Sequence, residues 1–201
     1  NLLLNTLKSQ RQRQKHRALV EYSPDTRKVM LFSLAYQPEE STSPRGGIFV
    51  EQYFSIRALS SCLPHGWKVR VREHPDQYGR GRPRPKDFLK EISLLPRVEI
   101  VAVDETSDDS LIQADAVAAT AGTMAVEAWA RGIPLILFGK MWLKIAPGVF
   151  YIETIDDLKH ALQTICEGTK PTPEQIESFK SWTISQSFSG SLGKIDPNNQ
   201  E

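Results

Sequence analysis

The stretch between residues 115 and 139 constrains the fold of this 201-residue chain more than any other part of its sequence. It starts with a short apolar run, continues through a turn of small residues at Ala121 and Gly122 and a segment of good helix formers, and ends with Gly-Ile-Pro at 132–134 and a second apolar run. Two apolar runs separated by a turn and a helical segment are typical of a strand, loop, helix and strand. The stretch therefore predicts one α/β unit.

The turn at Ala121 and Gly122 is a candidate anion site. A helix that starts near Thr123 leaves unpaired backbone N–H groups at its N-terminus, and these can bind a phosphate. Thr123 can cap the helix and bind the same ligand, while Glu127, one turn further along, can accept from a ribose hydroxyl. The same residues can also be a plain N-cap and an acid favoured by the helix dipole. These positions alone do not decide between the two interpretations.

The composition is that of an ordinary globular protein with one sizeable core. Hydrophobic residues make up 40% of the sequence and charged residues 24%, and the formal charge of +1 gives no reason to expect a nucleic-acid partner. No apolar run approaches the roughly 20 residues of a spanning helix, and no signal-peptide pattern is present. Cys62 and Cys166 lie far apart without metal-ligand spacing, which predicts reduced thiols and a cytoplasmic protein.

The rest of the chain repeats the alternation of apolar runs and helical segments. We predict five main strands and a small sixth one, at 29–34, 67–71, 98–103, the run before Ala121, 134–138 and 149–152. Helices are predicted at 48–63, 85–94, 107–114 with Ser107 as cap, from Thr123, from a Thr154 cap to about 166, and from a Thr172 cap to about 187. This alternation predicts the α/β class, with a doubly wound, mostly parallel, Rossmann-like sheet.

The two ends of the chain differ from this central domain, which we place at 28–187. Residues 1–27 combine leucines with a basic run that no acid interrupts: Lys8, Arg11, Arg13, Lys15 and Arg17. Such a helix can contact anionic lipid or another domain, although a solvated face or a linker leading into the domain is the commoner explanation. Residues 188–201 are predicted to be a flexible tail. Because the chain starts without Met and within an apparent helix, we expect a piece of a longer protein.

Polar residues follow the first and second predicted strands. Gln37 and Glu39 lie in the first of these loops, and His74 and Pro75 directly follow the second strand. A His before a proline is disfavoured in a helix, so His74 is predicted to be extended at the strand end. There its ring can donate to a phosphate or orient a reacting group, or it can simply bond to a neighbouring loop. In a doubly wound sheet both loops can converge with the turn at 121–123 on one crevice.

Other charged residues are weaker candidates. Arg80, Arg82 and Arg84 are predicted to form a mobile basic rim for an anionic substrate, or a solvated connection. Asp104 and Glu105 end the third strand and can be paired carboxylates for acid/base chemistry, although loop and cap roles are more economical. The remaining histidines are predicted to lie on the surface: His16, His65 and His160.

Four places in the sequence together resemble a known family. They are Tyr36-Gln37-Pro38-Glu39 with Gly46-Gly47-Ile48-Phe49-Val50, Arg72-Glu73-His74-Pro75, Ala121-Gly122-Thr123 with Glu127, and Gly132-Ile133-Pro134. In order and spacing they are similar to the C-terminal, donor-binding half of a GT-B glycosyltransferase. In particular, they resemble the bacterial capsule polysaccharide biosynthesis family, which includes Kdo transferases. The resemblance covers roughly residues 28–166.

The resemblance implies a site at which His74 is catalytic. The His-Pro pair resembles the motif that enzymes of this fold using CMP-sugars place against the nucleotide phosphate, and the Gly-Thr turn resembles their Ser/Thr motif. The implied donor-binding residues are Gln37, Glu39, His74, Pro75, Gly122, Thr123 and Glu127. No metal or other cofactor is expected, because no carboxylate pair is placed at a strand end near these residues. Arg45 and Lys140 are lower-ranked phosphate partners.

The resemblance also implies partners. The expected reaction is transfer of Kdo from CMP-Kdo, a nucleotide-sugar donor, to a glycolipid or polysaccharide acceptor at the cytoplasmic face, with peripheral membrane contact. The N-terminal acceptor domain, expected to bring an acidic catalytic residue, is not recognisable in the sequence. The chain alone is therefore expected to bind donor without turning it over.

Two other functions remain open at the level of sequence. The phosphate site does not specify a base, so a transferase or epimerase using CDP-glycerol or a UDP-sugar would fit the same residues. A non-catalytic nucleotide-binding module of capsule export or assembly would also fit. Turnover by the intact protein separates the enzymes from the module.

Overall fold

The computed structural model describes residues 2–20, 26–38, 43, 46–79 and 84–187 and shows one sheet flanked by helices. The strands are β1 (Lys28–Ser33), β2 (Trp67–Arg72), β3 (Val98–Ile100), β4 (Ala116–Ala119), β5 (Leu135–Leu137) and β6 (Val149–Tyr151). The predicted tail at 188–201 lies outside the described residues, as do Glu39, Arg45, Arg80 and Arg82.

Eight α-helices are present in the described part of the chain. They are α1 (Leu2–Arg17), α2 (Gln52–Cys62), α3 (Asp76–Gly79), α4 (Phe88–Ser93), α5 (Ser107–Ile112), α6 (Thr123–Ala130), α7 (Ile155–Cys166) and α8 (Pro173–Ser185), with 3-10 turns at Gly47–Val50 and Trp142–Ile145. Within these described ranges no helix is both long enough and apolar enough to cross a bilayer.

The sheet has the strand order β3-β2-β1-β4-β5-β6, and every neighbouring pair is parallel. This confirms the predicted Rossmann-like fold class. The chain moves outward from β1 through β2 to β3, and then returns to place β4 on the other side of β1. In such sheets ligands bind outside the carboxyl ends of the strands at this switch point, which here lies between β1 and β4.

The strands are continuous apolar runs because helices cover both faces of the sheet. Side chains alternate between the faces, so Met30 and Phe32 belong to one buried cluster, with residues of α2 and α7. Leu31 belongs to the other cluster, with residues of α6 and α8. All three side chains are fully buried, and each such burial contributes about 1.5–3 kcal/mol to folding. The core thus holds the strand ends, and the loops that follow them, in fixed positions.

The two C-terminal helices begin where the sequence predicts. The Thr154 side chain accepts a hydrogen bond from the backbone N–H of Asp157 at the start of α7. Thr172 accepts likewise from the N–H of Gln175 at the start of α8, where Pro173 occupies the first helical position. Each cap satisfies one donor that the first helical turn leaves unpaired, which is why these positions are predictable from local sequence.

Two other helices differ from the prediction at their N-termini. Helix α5 is capped by Thr106, whose side chain accepts from the N–H of Asp109, so the predicted cap at Ser107 is wrong by one residue. The helix predicted at 85–94 is shorter, because Asp87 has a φ of 67° and is therefore left-handed. A left-handed residue cannot lie within an α-helix, so Asp87 is the N-cap, its carbonyl accepts from the N–H of Glu91, and α4 begins at Phe88.

The single helix predicted at 48–63 is interrupted. A 3-10 turn at Gly47–Val50 ends at Glu51, which is extended, and α2 begins only at the next residue. The buried side chain of Gln52 accepts from the N–H of Ala35 at 2.7 Å and donates to the carbonyl of Ala35 at 3.2 Å. These two bonds attach the first turn of α2 to the loop after β1.

His16 is buried, so the prediction that it lies on the surface is wrong; its side chain is only 1% exposed. Its Nε2 lies 2.8 Å from the carbonyl oxygen of Val101, to which it donates, and its Nδ1 lies 2.8 Å from the hydroxyl of Tyr78. Burial lowers the pKa of His16 from its ordinary value, which favours the neutral ring. His16 thereby anchors α1 to the domain, whereas His65 and His160 are exposed as predicted.

Candidate functional site

The loops after β1, β2 and β4 converge on one crevice at the switch point, with a volume of about 120 Å³. Four of the predicted donor-binding residues line it together with His74: Pro75, Gly122, Thr123 and Glu127. The convergence expected from the strand order is therefore present. The site is built at the carboxyl edge of the sheet, where the rigid core positions otherwise separate loops.

The turn after β4 presents the N-terminus of α6 to this crevice. Gly122 is the N-cap of the helix and has a φ of 113°, a conformation that side-chain-bearing residues rarely adopt. Thr123 is the first helical residue and no side chain caps the helix, so the interpretation of Thr123 as N-cap is wrong. Because no side chain occupies the cap position, the backbone N–H groups of the first turn remain available to an anion.

His74 is half-buried and lines the same crevice. Its Nδ1 accepts a hydrogen bond from the backbone N–H of Asp76 at 3.2 Å, and its ring lies 5.7 Å from the ring of Tyr36. A backbone N–H can only donate, so in the neutral ring the proton must be on Nε2. His74 is thereby fixed in the tautomer whose Nε2 is a donor.

The sequence predicts that Arg84 belongs to a mobile basic rim or a solvated connection. Both predictions are wrong for Arg84, because its side chain is only 4% exposed. Its Nη2 and Nε donate to the two carboxylate oxygens of Glu73 at 2.7 and 2.9 Å, and Glu73 is 3% exposed. The same guanidinium donates to the carbonyl of Ala35 and to the side chain of Gln37, each at 2.8 Å. Arg84 therefore joins the loop after β1 to the loop after β2.

Gln37 holds this loop in place and does not line the crevice. Its side-chain amide donates to the carbonyl of Val50 at 2.6 Å, while its oxygen accepts from Arg84. Its backbone N–H donates to the side chain of Gln77 at 3.1 Å. Direct donor binding by Gln37 is thus not favoured by its position, and Glu39, next along this loop, lies outside the described residues.

Arg72 is a charged residue of the crevice that the sequence interpretation did not assign to the site. It ends β2, is half-buried, and lines the crevice with His74. Its Nη2 donates to the carbonyl of Glu105 at 3.3 Å, whereas its buried Nε has no hydrogen-bond partner among the described residues. Burial lowers the pKa of Arg72, and the nearby carboxylates of Glu105 and Glu127 oppose that shift.

The alternation of apolar and basic residues along β2 could have identified Arg72 from the sequence. Lys68, Arg70 and Arg72 project to the same face of the strand, since side chains two residues apart do so. Lys68 lies 3.0 Å from a carboxylate oxygen of Glu99, and Arg70 lies 2.8 Å from one of Glu105. Arg72, at the carboxyl end, has no ion pair with a described carboxylate. Of these three cations, Arg72 is the one that lines the crevice.

The remaining candidates have structural roles or lie elsewhere. Glu105 accepts from Arg70 at 2.8 Å and from the Ser110 hydroxyl at 2.6 Å, while Asp104 is exposed, so the pair is not arranged for acid/base chemistry. Lys140 lines a different cleft, with Tyr151 and Glu153. No cluster of three or more potential metal-ligating carboxylate, His or Cys side chains occurs within the described ranges, and the absence of a metal stays a prediction.

Comparisons with known proteins identify the fold. No family model and no curated protein matches the sequence. A solved structure described as Thermosulfurimonas dismutans KpsC, beta Kdo 2,7 transferase, matches with a TM-score of 0.53 and 12% identity, over 92% of this chain and 63% of that one. A putative UDP-N-acetylglucosamine 2-epimerase from Listeria monocytogenes matches with a TM-score of 0.48 and 11% identity, over 82% of this chain and 44% of that one.

At such identities the likeness shows a fold and not an activity. The chain has the Rossmann-like fold of one half of a GT-B protein, with its crevice at the switch point of the sheet. It spans less than two thirds of the length of the structures it matches, 63% of one and 44% of the other.

Proposed function

We propose that this chain is the donor-binding half of a GT-B glycosyltransferase that transfers Kdo from CMP-Kdo to a glycolipid or polysaccharide acceptor at the cytoplasmic face. The observation that carries the proposal is the convergence of His74, Arg72 and the N-terminus of α6 in one crevice at the switch point. The motif resemblance supports the donor, and the fold shared with a structure described as a Kdo transferase is consistent with it.

The chemistry of this crevice suits a departing phosphate. When a sugar leaves a nucleotide, negative charge develops on the phosphate oxygens, and fixed donors that face those oxygens lower the barrier. The N-terminus of α6, the ring of His74 and the guanidinium of Arg72 all line this crevice, and each can supply such donors. Arg72 adds a full positive charge to the lining of the crevice, which strengthens the attraction for an anion.

Glu127 is assigned to the ribose. It is exposed, lies in α6 one turn beyond Thr123, and lines the crevice. A carboxylate accepts hydrogen bonds only, so it suits the ribose hydroxyls and repels phosphate. Its position beyond the helix N-terminus would set the direction of the bound nucleotide, with the phosphate at Gly122 and the ribose further along α6.

The second half of the active site is assigned to an acceptor domain outside this sequence. The described residues place no unpaired carboxylate on the crevice except Glu127, which the ribose assignment uses. Activation of an acceptor hydroxyl then needs a base from elsewhere. We expect the 201-residue chain to bind donor without turnover, and the intact protein to transfer the sugar. Donor cleavage by the purified chain would contradict this division.

Calorimetry with CMP, UMP and CDP tests the donor assignment. If the donor is CMP-linked, CMP should bind at least several-fold tighter than UMP. Because only the base differs between the two, the ratio of their affinities reports on base recognition alone. Tighter binding of CDP would favour a CDP-linked donor such as CDP-glycerol, and tighter binding of UMP would favour a UDP-sugar enzyme. Binding without turnover by the intact protein would favour the non-catalytic module.

A further inference from the structure

A second cavity lies beside the crevice, between α1 and the carboxyl ends of β2 and β3. Its volume is about 220 Å³, compared with about 120 Å³ for the crevice. Arg72, His74 and Pro75 line both spaces and form the wall between them. A group attached to a phosphate in the crevice can therefore extend into the larger cavity without leaving the site.

The cavity has an excess of positive charge. Arg13 of α1 and Arg72 both line it. Two carboxylates also line it, but Glu73 is paired with the buried Arg84 and Glu105 is paired with Arg70. Each acid is thus neutralised by a cation that does not line the cavity, and the charges of Arg13 and Arg72 are left without a carboxylate of their own.

Three other titratable side chains line the cavity: His74, which also lines the crevice, and His16 and Tyr78, whose neutral forms are favoured. Burial lowers the pKa of His16, and burial raises the pKa of Tyr78 well above its ordinary value. The two side chains are also hydrogen-bonded to each other at 2.8 Å. Neither supplies a negative charge near neutral pH, so nothing from these groups cancels the two arginines.

Helix α1 is fixed on either side of Arg13. Gln12 donates from its side chain to the carbonyl of Arg84 at 2.7 Å, and His16 is bonded to Val101 and Tyr78 as described above. These bonds reach residues 72 and 85 positions away in the chain, so they tie the helix to the domain. These bonds therefore hold the part of α1 that places Arg13 at the cavity.

We propose that this cavity binds the carboxylate-bearing sugar of the donor, with Arg13 and Arg72 as its carboxylate partners. The inference rests on the proposed function, because it takes the phosphate to lie in the crevice. The leaving phosphate is joined directly to the transferred sugar, so the adjoining and larger cavity is the place for that sugar. A guanidinium binds a carboxylate through paired hydrogen bonds, and two of them select an acidic sugar over a neutral one.

The test is calorimetry of the 201-residue chain with CMP and with CMP-Kdo, in wild type and in Arg13→Gln. Loss of one charged hydrogen-bond partner should weaken CMP-Kdo binding about tenfold, and CMP binding less than twofold. Arg11→Gln is the matched control, because Arg11 lies on the same helix, is exposed and does not line the cavity. It should change neither affinity, and urea unfolding should show that both variants are folded.

Each other outcome overturns the proposal in a recognisable way. If CMP binds but Arg13→Gln leaves CMP-Kdo affinity unchanged, or weakens CMP equally, the sugar subsite is wrong and the nucleotide site stands. If neither compound binds wild type, the proposed function fails and the subsite fails with it. A methyl glycoside of Kdo stands in for an anionic acceptor. If Arg13→Gln weakens binding of this glycoside but not binding of CMP-Kdo, the cavity binds the acceptor and not the donor sugar.

Discussion

Arg72 ends β2 and Arg84 lies in the segment between β2 and α4, and the surroundings of these two arginines differ in a way that separates structure from function. Arg84 is 4% exposed and has hydrogen bonds to Glu73, Ala35 and Gln37. Arg72 is half-buried on the crevice wall, has one long bond to a carbonyl, and has a buried Nε without a described partner. Each nitrogen of the Arg84 guanidinium donates a hydrogen bond, whereas the Nε of Arg72 has no described acceptor.

The comparison shows why basic residues near a site cannot be assigned from charge alone. A buried cation needs partners, and when the protein supplies them all the residue stabilises the fold and has little left for a ligand. A cation at a cleft with incomplete partners is stabilised further when an anion binds. Arg84 should therefore affect stability most, and Arg72 should affect binding most.

The largest expected effect is on stability, from Arg84→Met. Removing the guanidinium leaves the carboxylate of Glu73 buried without its partner, so the free energy of unfolding should fall by about 3–5 kcal/mol. Urea unfolding measures this change in the free energy of unfolding. Arg57→Met is a matched control on an exposed arginine of α2 and should change stability by less than about 0.5 kcal/mol.

The double variant Arg84→Met with Glu73→Leu sharpens this prediction. Because it removes both buried charges, it should be more stable than Arg84→Met alone. An Arg84→Met protein as stable as wild type would show that the pair is not buried in solution, and the contrast with Arg72 would be lost.

The next effect is on binding, from Arg72→Met. Loss of a charged donor at the phosphate should weaken CMP by about 10- to 100-fold, whereas stability should change much less than in Arg84→Met. Calorimetry and urea unfolding on the same sample give both quantities. Equal CMP affinity in Arg72→Met and wild type, together with a large loss of stability, would reverse the assignment of the two arginines.

The smallest effect concerns His16, which joins α1 to this edge of the sheet. Its pKa in the folded chain lies below the ordinary value of 6.5, so below pH 6.5 the unfolded chain takes up a proton that folded His16 resists. The free energy of unfolding should therefore fall as the pH drops below 6.5, by at most about 1.4 kcal/mol per pH unit from this group.

Urea unfolding at a series of pH values, with His16→Asn and with the exposed control His65→Asn, isolates this contribution. His16→Asn should flatten the decrease below pH 6.5, and His65→Asn should keep it. An unchanged pH profile in His16→Asn would mean that the ring is accessible and that α1 is not held as described.

The sequence predicted the fold because its signals are local. Apolar runs mark the strands, and Thr154 and Thr172 mark helix starts through partners three residues away. The crevice was also predictable, since the ends of neighbouring parallel strands must lie together, and His74 and Gly122 are both at such ends.

The roles of Arg84 and His16 were not predictable because their partners are distant in sequence. Glu73 lies 11 residues from Arg84, and the carbonyl that His16 bonds lies 85 residues away. In a basic or loop-like segment, the sequence alone does not distinguish a polar side chain that stays exposed from one that the fold buries. Arg72 was missed for a related reason. Lys68 and Arg70 form ion pairs with Glu99 and Glu105, and only these distant pairs show that Arg72 is the cation of the row without a described carboxylate partner.

The most direct test of the nucleotide site is the affinity of CMP for the chain with and without His74, measured by calorimetry and by the shift in melting temperature. Wild type should gain roughly 2.7 kcal/mol when CMP is present at a hundredfold excess over Kd, enough to raise Tm by a few degrees. His74→Ala should lose most of that gain while its unliganded Tm stays near wild type, and the exposed control His65→Ala should keep it all. No shift at millimolar CMP in wild type, or a full shift in His74→Ala, would contradict the assignment of this crevice to a nucleotide phosphate.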